Sequence, residues 1–209
     1  KVFLLSALYV LLVSCTYAQQ LPLSNQYTIN KFSLSPAYAG TGEIIEIFGS
    51  YRNEWMNIPG APESKVISAN GKVCNNMGLG GMIGSRQAGI FQDISASVNY
   101  AYHVKMSDKN NLSFGIGLGM LESRVNIAGS AAQADPVAAN NADINSMVMD
   151  AGFGILYRFQ SFHLAVTIPR MLSSKIKDVK GNTVYTLAMQ QGLNIGYKYP
   201  VNKDWAIDP

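Results

Sequence analysis

The sequence predicts an all-β protein, an antiparallel transmembrane β-barrel of the outer membrane with at least eight strands. In residues 90–106 apolar and polar side chains alternate with few exceptions, so this strand has one apolar and one polar face. The run exceeds the about 9–11 residues that a transmembrane strand needs. The chain also begins with an export signal, and no later apolar stretch reaches the about 18 residues of a membrane helix. An exported chain of this kind can satisfy its backbone in lipid only as a closed barrel.

Composition agrees with a membrane β-barrel. Charged residues make up 14% of the chain, against about 25% in a typical soluble domain. The 19 glycines and 11 tyrosines suit a tightly packed wall with aromatic girdles. The net charge of +3 is spread along the chain without a basic block, so we predict no nucleic-acid partner.

The N-terminal segment has the features of a secretory signal. Lys1 is followed by a largely apolar run over 2–13, and 16–18 reads as a small-residue cleavage site before Gln19. An alternative is a lipoprotein signal that ends at Cys15, which would then be lipidated. Cleavage after Ala18 is favoured, because a barrel supplies its own membrane anchor.

This signal sets the predicted domain organisation. Residues 1–18 are the signal peptide, 19–42 form a periplasmic or barrel-filling segment, and 43–209 form the barrel. The last residues, 206–209, end in Asp-Pro and cannot form a closing strand. We therefore expect that the C-terminal strands are missing from this sequence.

The predicted strands follow the alternating stretches of the sequence. They cover about 43–55, 63–73, 77–86, 90–106, 112–126, 146–159, a strand from Phe162 to Ile168, and a last strand from Tyr185 to Tyr199. Short and long connections largely alternate, as in outer-membrane barrels with short periplasmic turns and longer external loops. The pattern predicts that the turn at 107–111 is periplasmic and the loop at about 127–145 is external.

Strand 112–126 shows the two faces most clearly. Leu118 and its apolar neighbours at every second position point outward, whereas Ser113, Gly115, Gly117 and Gly119 point inward. These glycines do not match a phosphate-binding loop, since no helix follows them. Small residues on the inner face would instead let an internal plug or a neighbouring wall approach closely.

The titratable residues do not form a catalytic or metal-binding arrangement. His103 and Asp93 face inward on one strand, about 33 Å apart at the usual rise. His163 and Asp150 share the inward face without a serine or a ligand spacing. Cys74 has no partner once the signal is removed. We predict no enzyme, no metal and no cofactor.

Inward cations have a simpler interpretation. Arg52, Arg158 and Lys198 lie on the inner parity of their strands. They are most simply the polar lumen of a barrel.

Several N-terminal motifs resemble a known family. Ser24–Asn30 with Leu34–Gly40 resembles the opening of the PorP/SprF family, outer-membrane proteins of the type IX secretion system of Bacteroidota. Tyr51–Trp55 with Gly60-Ala61-Pro62 resembles the segment that follows in that family, and Val98–Tyr102 and Leu112–Gly115 resemble two of its later strands. The match runs from about 24 to 126. Together the motifs are specific, although Ser35 stands where the family usually has asparagine.

The resemblance implies a function in protein export. It implies a bacterial outer-membrane barrel that helps to export or surface-anchor adhesins and other cargo, together with the secretion machinery's periplasmic ring and outer-membrane translocon. We expect Arg52, Trp55, Gly60, Ala61 and Pro62 to contact cargo or a partner subunit at one rim. Their alternative role is barrel closure and a rigid turn, and the alternative function of the chain is a passive porin or transporter.

Overall fold

The structure is a computed structural model that describes residues 29–125, 144–172, 175–177, 183–186, 188–200 and 206–207. Within these ranges no helix combines the length and the apolar character needed to cross a membrane.

One antiparallel sheet dominates the molecule. Its eight strands lie side by side in the order in which they occur along the chain, and the sheet curls into a half-barrel. The strands are β1 (Glu46–Asn53), β2 (Glu63–Cys74), β3 (Met77–Ala88), β4 (Phe91–Ser107), β5 (Asn110–Val125), β6 (Ile144–Phe159), β7 (Phe162–Arg170) and β10 (Gln190–Tyr197). The predicted all-β, barrel-type fold is confirmed.

The predicted last strand is wrong in its first half. Tyr185 belongs to β9 (Thr183–Thr186), which pairs with β8 (Lys175–Lys177) in a separate hairpin. Only β10 pairs with β7, and its register shifts near Gln190. Alternation continues across this break in the sequence, so periodicity alone could not reveal it. At the end of the chain, β11 (Tyr199–Pro200) pairs with β12 (Ala206–Ile207).

The two faces of the sheet differ as the alternation predicts. On β5, Phe114, Ile116 and Leu118 are exposed, whereas Ser113 and Gly115 are buried. Exposed large apolar side chains also cover the same face of the other strands, which suits a surface in contact with lipid.

Residues 30–40, which we call the inner segment, cover the concave face. The segment contains two short 3₁₀ helices, Lys31–Ser33 and Pro36–Tyr38. Pro36 occupies the first position of the second helix, and the hydroxyl of Ser35 accepts a hydrogen bond from the Ala37 amide at 3.3 Å. Ser35 thus caps this helix as asparagine also could. The main hydrophobic core lies between the inner segment and the sheet.

Hydrogen bonds connect the inner segment to strands near both edges of the sheet. The side-chain amide of Asn30 donates to Ser68 Oγ on β2 at 2.9 Å, and the backbone amide of Gly40 donates to Asn70 Oδ1 on the same strand at 3.1 Å. Near the other edge, the Tyr38 hydroxyl donates to Asn194 Oδ1 on β10 at 3.1 Å. The inner segment therefore braces the curl of the half-barrel.

Glycines on the concave face make room for this segment. A Cβ atom on Gly115 would collide with the backbone of Ala37, and one on Gly78 would collide with the Ala39 carbonyl. A Cβ on Gly80 would lie 2.6 Å from the Phe32 ring. The sequence predicted such a close approach from the glycine pattern alone.

Three short turns lie together at one end of the sheet. They are Asn75-Asn76, Asp108-Lys109 and Gln160-Ser161, whereas the 54–62 loop and the short Gly89-Ile90 turn are at the opposite end. The predicted external loop at about 127–145 lies largely outside the described residues.

We expect Ile58 to face the outside of the cell and Lys109 the periplasm, because external loops are the longer ones. Single cysteines at these exposed positions, in a Cys74→Ser background, can be probed on intact cells with a membrane-impermeant thiol reagent. Only Ile58→Cys should label. Labelling of Lys109→Cys alone would reverse the topology.

Candidate functional site

The predicted contact residues lie in one loop at the rim of the sheet. Arg52 is the penultimate residue of β1, and its Nη2 atom lies 2.8 Å from Glu54 Oε1. Both side chains are more than a third exposed, so this ion pair contributes little to stability. Its effect is to orient the guanidinium beside the loop that follows β1.

Backbone hydrogen bonds fix the loop of residues 54–62, which we call the rim loop. The Glu54 amide donates to the Pro62 carbonyl at 2.9 Å and closes the loop at its base. Within it, the Ile58 amide donates to the Trp55 carbonyl at 3.2 Å, and the Ala61 amide donates to the Ile58 carbonyl at 3.1 Å. The loop is therefore two consecutive turns.

Gly60 connects this loop to the next hairpin. Its carbonyl accepts a hydrogen bond from the Gly89 amide at 2.9 Å, and its φ of 78° favours glycine. Because a Cβ on Gly60 would stand 3.4 Å from Gly89 Cα, the two turns pack closely. The two rim connections form one unit.

Trp55 adopts a backbone conformation that bulky residues rarely adopt. Its φ is 56°, and Asn57 two residues later has a φ of 72°. A non-glycine residue in this region costs on the order of 1–3 kcal/mol, which the surrounding turns must offset. Backbone strain of this kind is found more often at functional positions than elsewhere.

The rim loop exposes a small apolar patch. Trp55 is 68% exposed, Met56 75% and Ile58 57%. We call Trp55, Met56 and Ile58 the rim patch. The sequence prediction identified Trp55 but missed Met56 and Ile58, although an apolar run inside a proline- and glycine-rich loop could have drawn attention to them.

The structure brings the predicted contact residues together. Arg52, Trp55, Gly60, Ala61 and Pro62 all lie in the rim loop or at the end of the strand that leads into it. Trp55 lies just after β1 rather than within it, since β1 ends at Asn53.

The inward histidines and carboxylates have structural contacts. His103 Nε2 lies 3.0 Å from the Ala39 carbonyl, so this nitrogen carries the proton, and Nδ1 lies 2.8 Å from Ser113 Oγ. Asp93 pairs with Arg86 at 3.0 Å. Asp150 Oδ1 accepts a hydrogen bond from the Leu172 amide at 3.2 Å. These groups hold the inner segment, the sheet and a loop in place.

Comparison with known proteins identifies the family. Neither a search of characterised proteins nor a search of solved structures gave a match. The sequence profile described as type IX secretion system membrane protein PorP/SprF matches residues 16–209. This range includes the inner segment, the sheet and the rim loop. The chain therefore belongs to the PorP/SprF family of type IX secretion system membrane proteins.

Proposed function

We propose that the protein is an outer-membrane component of the type IX secretion system that assists the export or surface attachment of cargo such as adhesins. The rim patch is its contact surface for a cargo signal or a partner subunit. The observation that carries the proposal is an exposed tryptophan, flanked by two exposed apolar side chains, on a loop fixed by backbone hydrogen bonds. Exposed aromatic anchors on rigid supports dominate many protein interfaces.

Arg52 adds a charged group beside the rim patch. Its guanidinium is 45% exposed and already oriented by Glu54. Arginine and tryptophan are the residues most enriched at interface hot spots. A partner that buries the rim patch would therefore also meet a cation on its concave side.

The partners follow from the family. A type IX secretion membrane protein works with other components of that system, and we propose the periplasmic ring and the outer-membrane translocon in addition to exported cargo. The outer membrane is the proposed location because the apolar face of the sheet suits lipid.

A passive porin fits the structure less well. A porin needs an open aqueous lumen, but the inner segment lies across the concave face and its Ala37 and Ala39 are fully buried. Two cavities beside the segment have volumes of about 320 and 110 Å³. The larger volume suits a small ligand rather than a solute channel, and the smaller one is below the usual size of a ligand pocket.

Truncation of the tryptophan tests the proposal. In Trp55→Ala cells, surface delivery of cargo should fall by about tenfold or more, because a central aromatic anchor contributes at least about 2 kcal/mol. The barrel should remain inserted, since Trp55 is exposed and alanine would adopt the same backbone conformation at similar cost. Delivery is measured with antibody against the cargo on intact cells, and insertion by heat-modifiable gel mobility.

Two variants serve as controls. Trp55→Phe should restore most of the delivery. Ile45→Ala removes an apolar side chain that is 73% exposed just before β1, at the opposite end of the sheet, and should leave delivery unchanged. Wild-type delivery by Trp55→Ala, with an intact barrel, would disprove a docking role for the rim patch.

A further inference from the structure

The larger cavity lies at the end of the sheet opposite the rim loop. We call it the basal cavity. It has a volume of about 320 Å³ and lies between the inner segment, the Gln160-Ser161 turn and the ends of β1 and β10. Its wall includes Phe32 and Phe162. The basal cavity therefore lies at the end of the sheet that carries the Gln160-Ser161 turn.

The wall of the basal cavity is rich in basic side chains. Lys31, Arg158 and Lys198 line it, and Glu46 is the carboxylate among its lining residues. The three cationic side chains outnumber the single carboxylate. The electrostatic potential of the cavity therefore favours an anion.

One hydrogen-bond donor of Arg158 lacks an acceptor. Its Nε atom is buried and has no hydrogen-bond partner among the described residues. Asn111 on β5 lies opposite Arg158 on β6 but does not supply the acceptor. Its Oδ1 atom is itself buried without a hydrogen-bond partner among the described residues. A buried donor of a charged group that lacks an acceptor is costly, and a water molecule or an ion is among the partners that can supply one.

We propose that the basal cavity binds a carboxylate of a peptide, held by Arg158 and Lys198. A planar guanidinium matches a carboxylate in two parallel hydrogen bonds. Phe32 and Phe162 give the cavity an apolar side that suits a peptide rather than a free inorganic ion. Glu46 would repel a doubly charged phosphate more strongly than a singly charged carboxylate.

The carboxylate belongs to a peptide C-terminus or to an acidic side chain. This site is separate from the rim patch and does not depend on the proposed role in secretion. If the short turns face the periplasm, the peptide comes from a periplasmic segment of a partner.

The test is a binding measurement on the full chain in detergent. Four probes are titrated by calorimetry: acetyl-Ala-Leu-Ala with a free C-terminal carboxylate, its C-terminal amide, acetyl-Ala-Glu-Ala amide, and inorganic phosphate. We expect one or both carboxylate peptides to bind more tightly than the neutral amide and phosphate. The free-acid and glutamate peptides distinguish the two sources of the carboxylate.

Variants link the binding to the basal cavity. Arg158→Gln should weaken the carboxylate peptide by about tenfold or more, because it removes charged hydrogen bonds. Lys198→Gln, at an exposed position that does not threaten folding, should weaken it severalfold. Arg124→Gln is the matched control, since Arg124 is exposed at the other end of β5 and pairs with Glu122.

Three results would overturn the proposal. They are a failure of both carboxylate peptides to bind more tightly than the neutral amide, tighter binding of phosphate than of either carboxylate peptide, and unchanged affinity in both Arg158→Gln and Lys198→Gln. None of these results depends on cargo delivery, so this proposal and the secretion proposal can fail separately.

Discussion

A single methyl group on Gly115 should displace the inner segment from the sheet. The Cβ atom of Gly115→Ala would collide with the backbone of Ala37, which cannot move aside as a flexible side chain could. Gly115 also lies in a row of small residues across three strands, paired with Ala101 and Gly154. Because overpacking of this kind costs about 1–3 kcal/mol or more, we expect a loss of that size in the free energy of unfolding.

Gly81→Ala is the matched control for this change. The nearest atom to its added Cβ would be the Ser97 carbonyl oxygen at 3.7 Å, an ordinary contact. Alanine in a strand is favoured over glycine by about 0.5–1 kcal/mol. The same substitution should therefore stabilise the sheet at one position and destabilise the molecule at the other.

Limited trypsin digestion reports the position of the inner segment. The bond after Lys31 lies in a 3₁₀ helix whose next residue, Phe32, is 5% exposed. Cleavage there should accelerate in Gly115→Ala and stay at the wild-type rate in Gly81→Ala. Urea unfolding in detergent gives the free energies. Equal cleavage rates in the two variants would show that the segment does not rest on Gly115.

A charge on the outer face of β5 should prevent much of the chain from folding into the membrane. Leu118 is 71% exposed on the apolar face and pairs with Val98 and Ala151 on the neighbouring strands. An arginine near the bilayer midplane costs about 2–4 kcal/mol. We expect Leu118→Arg to reduce the folded fraction, measured by heat-modifiable gel mobility after refolding into lipid vesicles.

Leu172→Arg makes the same exchange outside the lipid. Leu172 is 49% exposed just after β7, at the end of the sheet that carries the rim loop. An arginine there costs about 0–1 kcal/mol, as near a membrane interface. Similar losses of folded protein in both variants would contradict the assignment of Leu118 to the lipid-facing surface.

The regular part of the fold could be predicted from the sequence because strand periodicity reports the environment directly. A residue such as Leu118 faces lipid and its neighbour Gly117 faces packed protein, and this difference repeats along β4 to β6. The break before β10 could not be predicted in this way. Tyr185 and Leu193 share one parity in the sequence, but they belong to ladders with different partners.

The candidate site could be located only in part. The motif around Arg52 and Trp55 marked the rim loop, whereas the exposure of Met56 and Ile58 depends on how the two turns of the loop fold. The basal cavity could not be foreseen, since Lys31, Arg158 and Lys198 are distant in sequence. They meet only because the inner segment lies across the curled sheet.

The bond from Tyr38 to Asn194 has a consequence for the order of folding. Sheet neighbours are next to each other along the chain or nearly so, so β-hairpins can form one after another as the chain inserts. The Tyr38–Asn194 contact closes a loop of 156 residues and must wait for β10. The inner segment is therefore among the last parts of the described chain to reach its final contacts, and its docking signals that every strand up to β10 is in place.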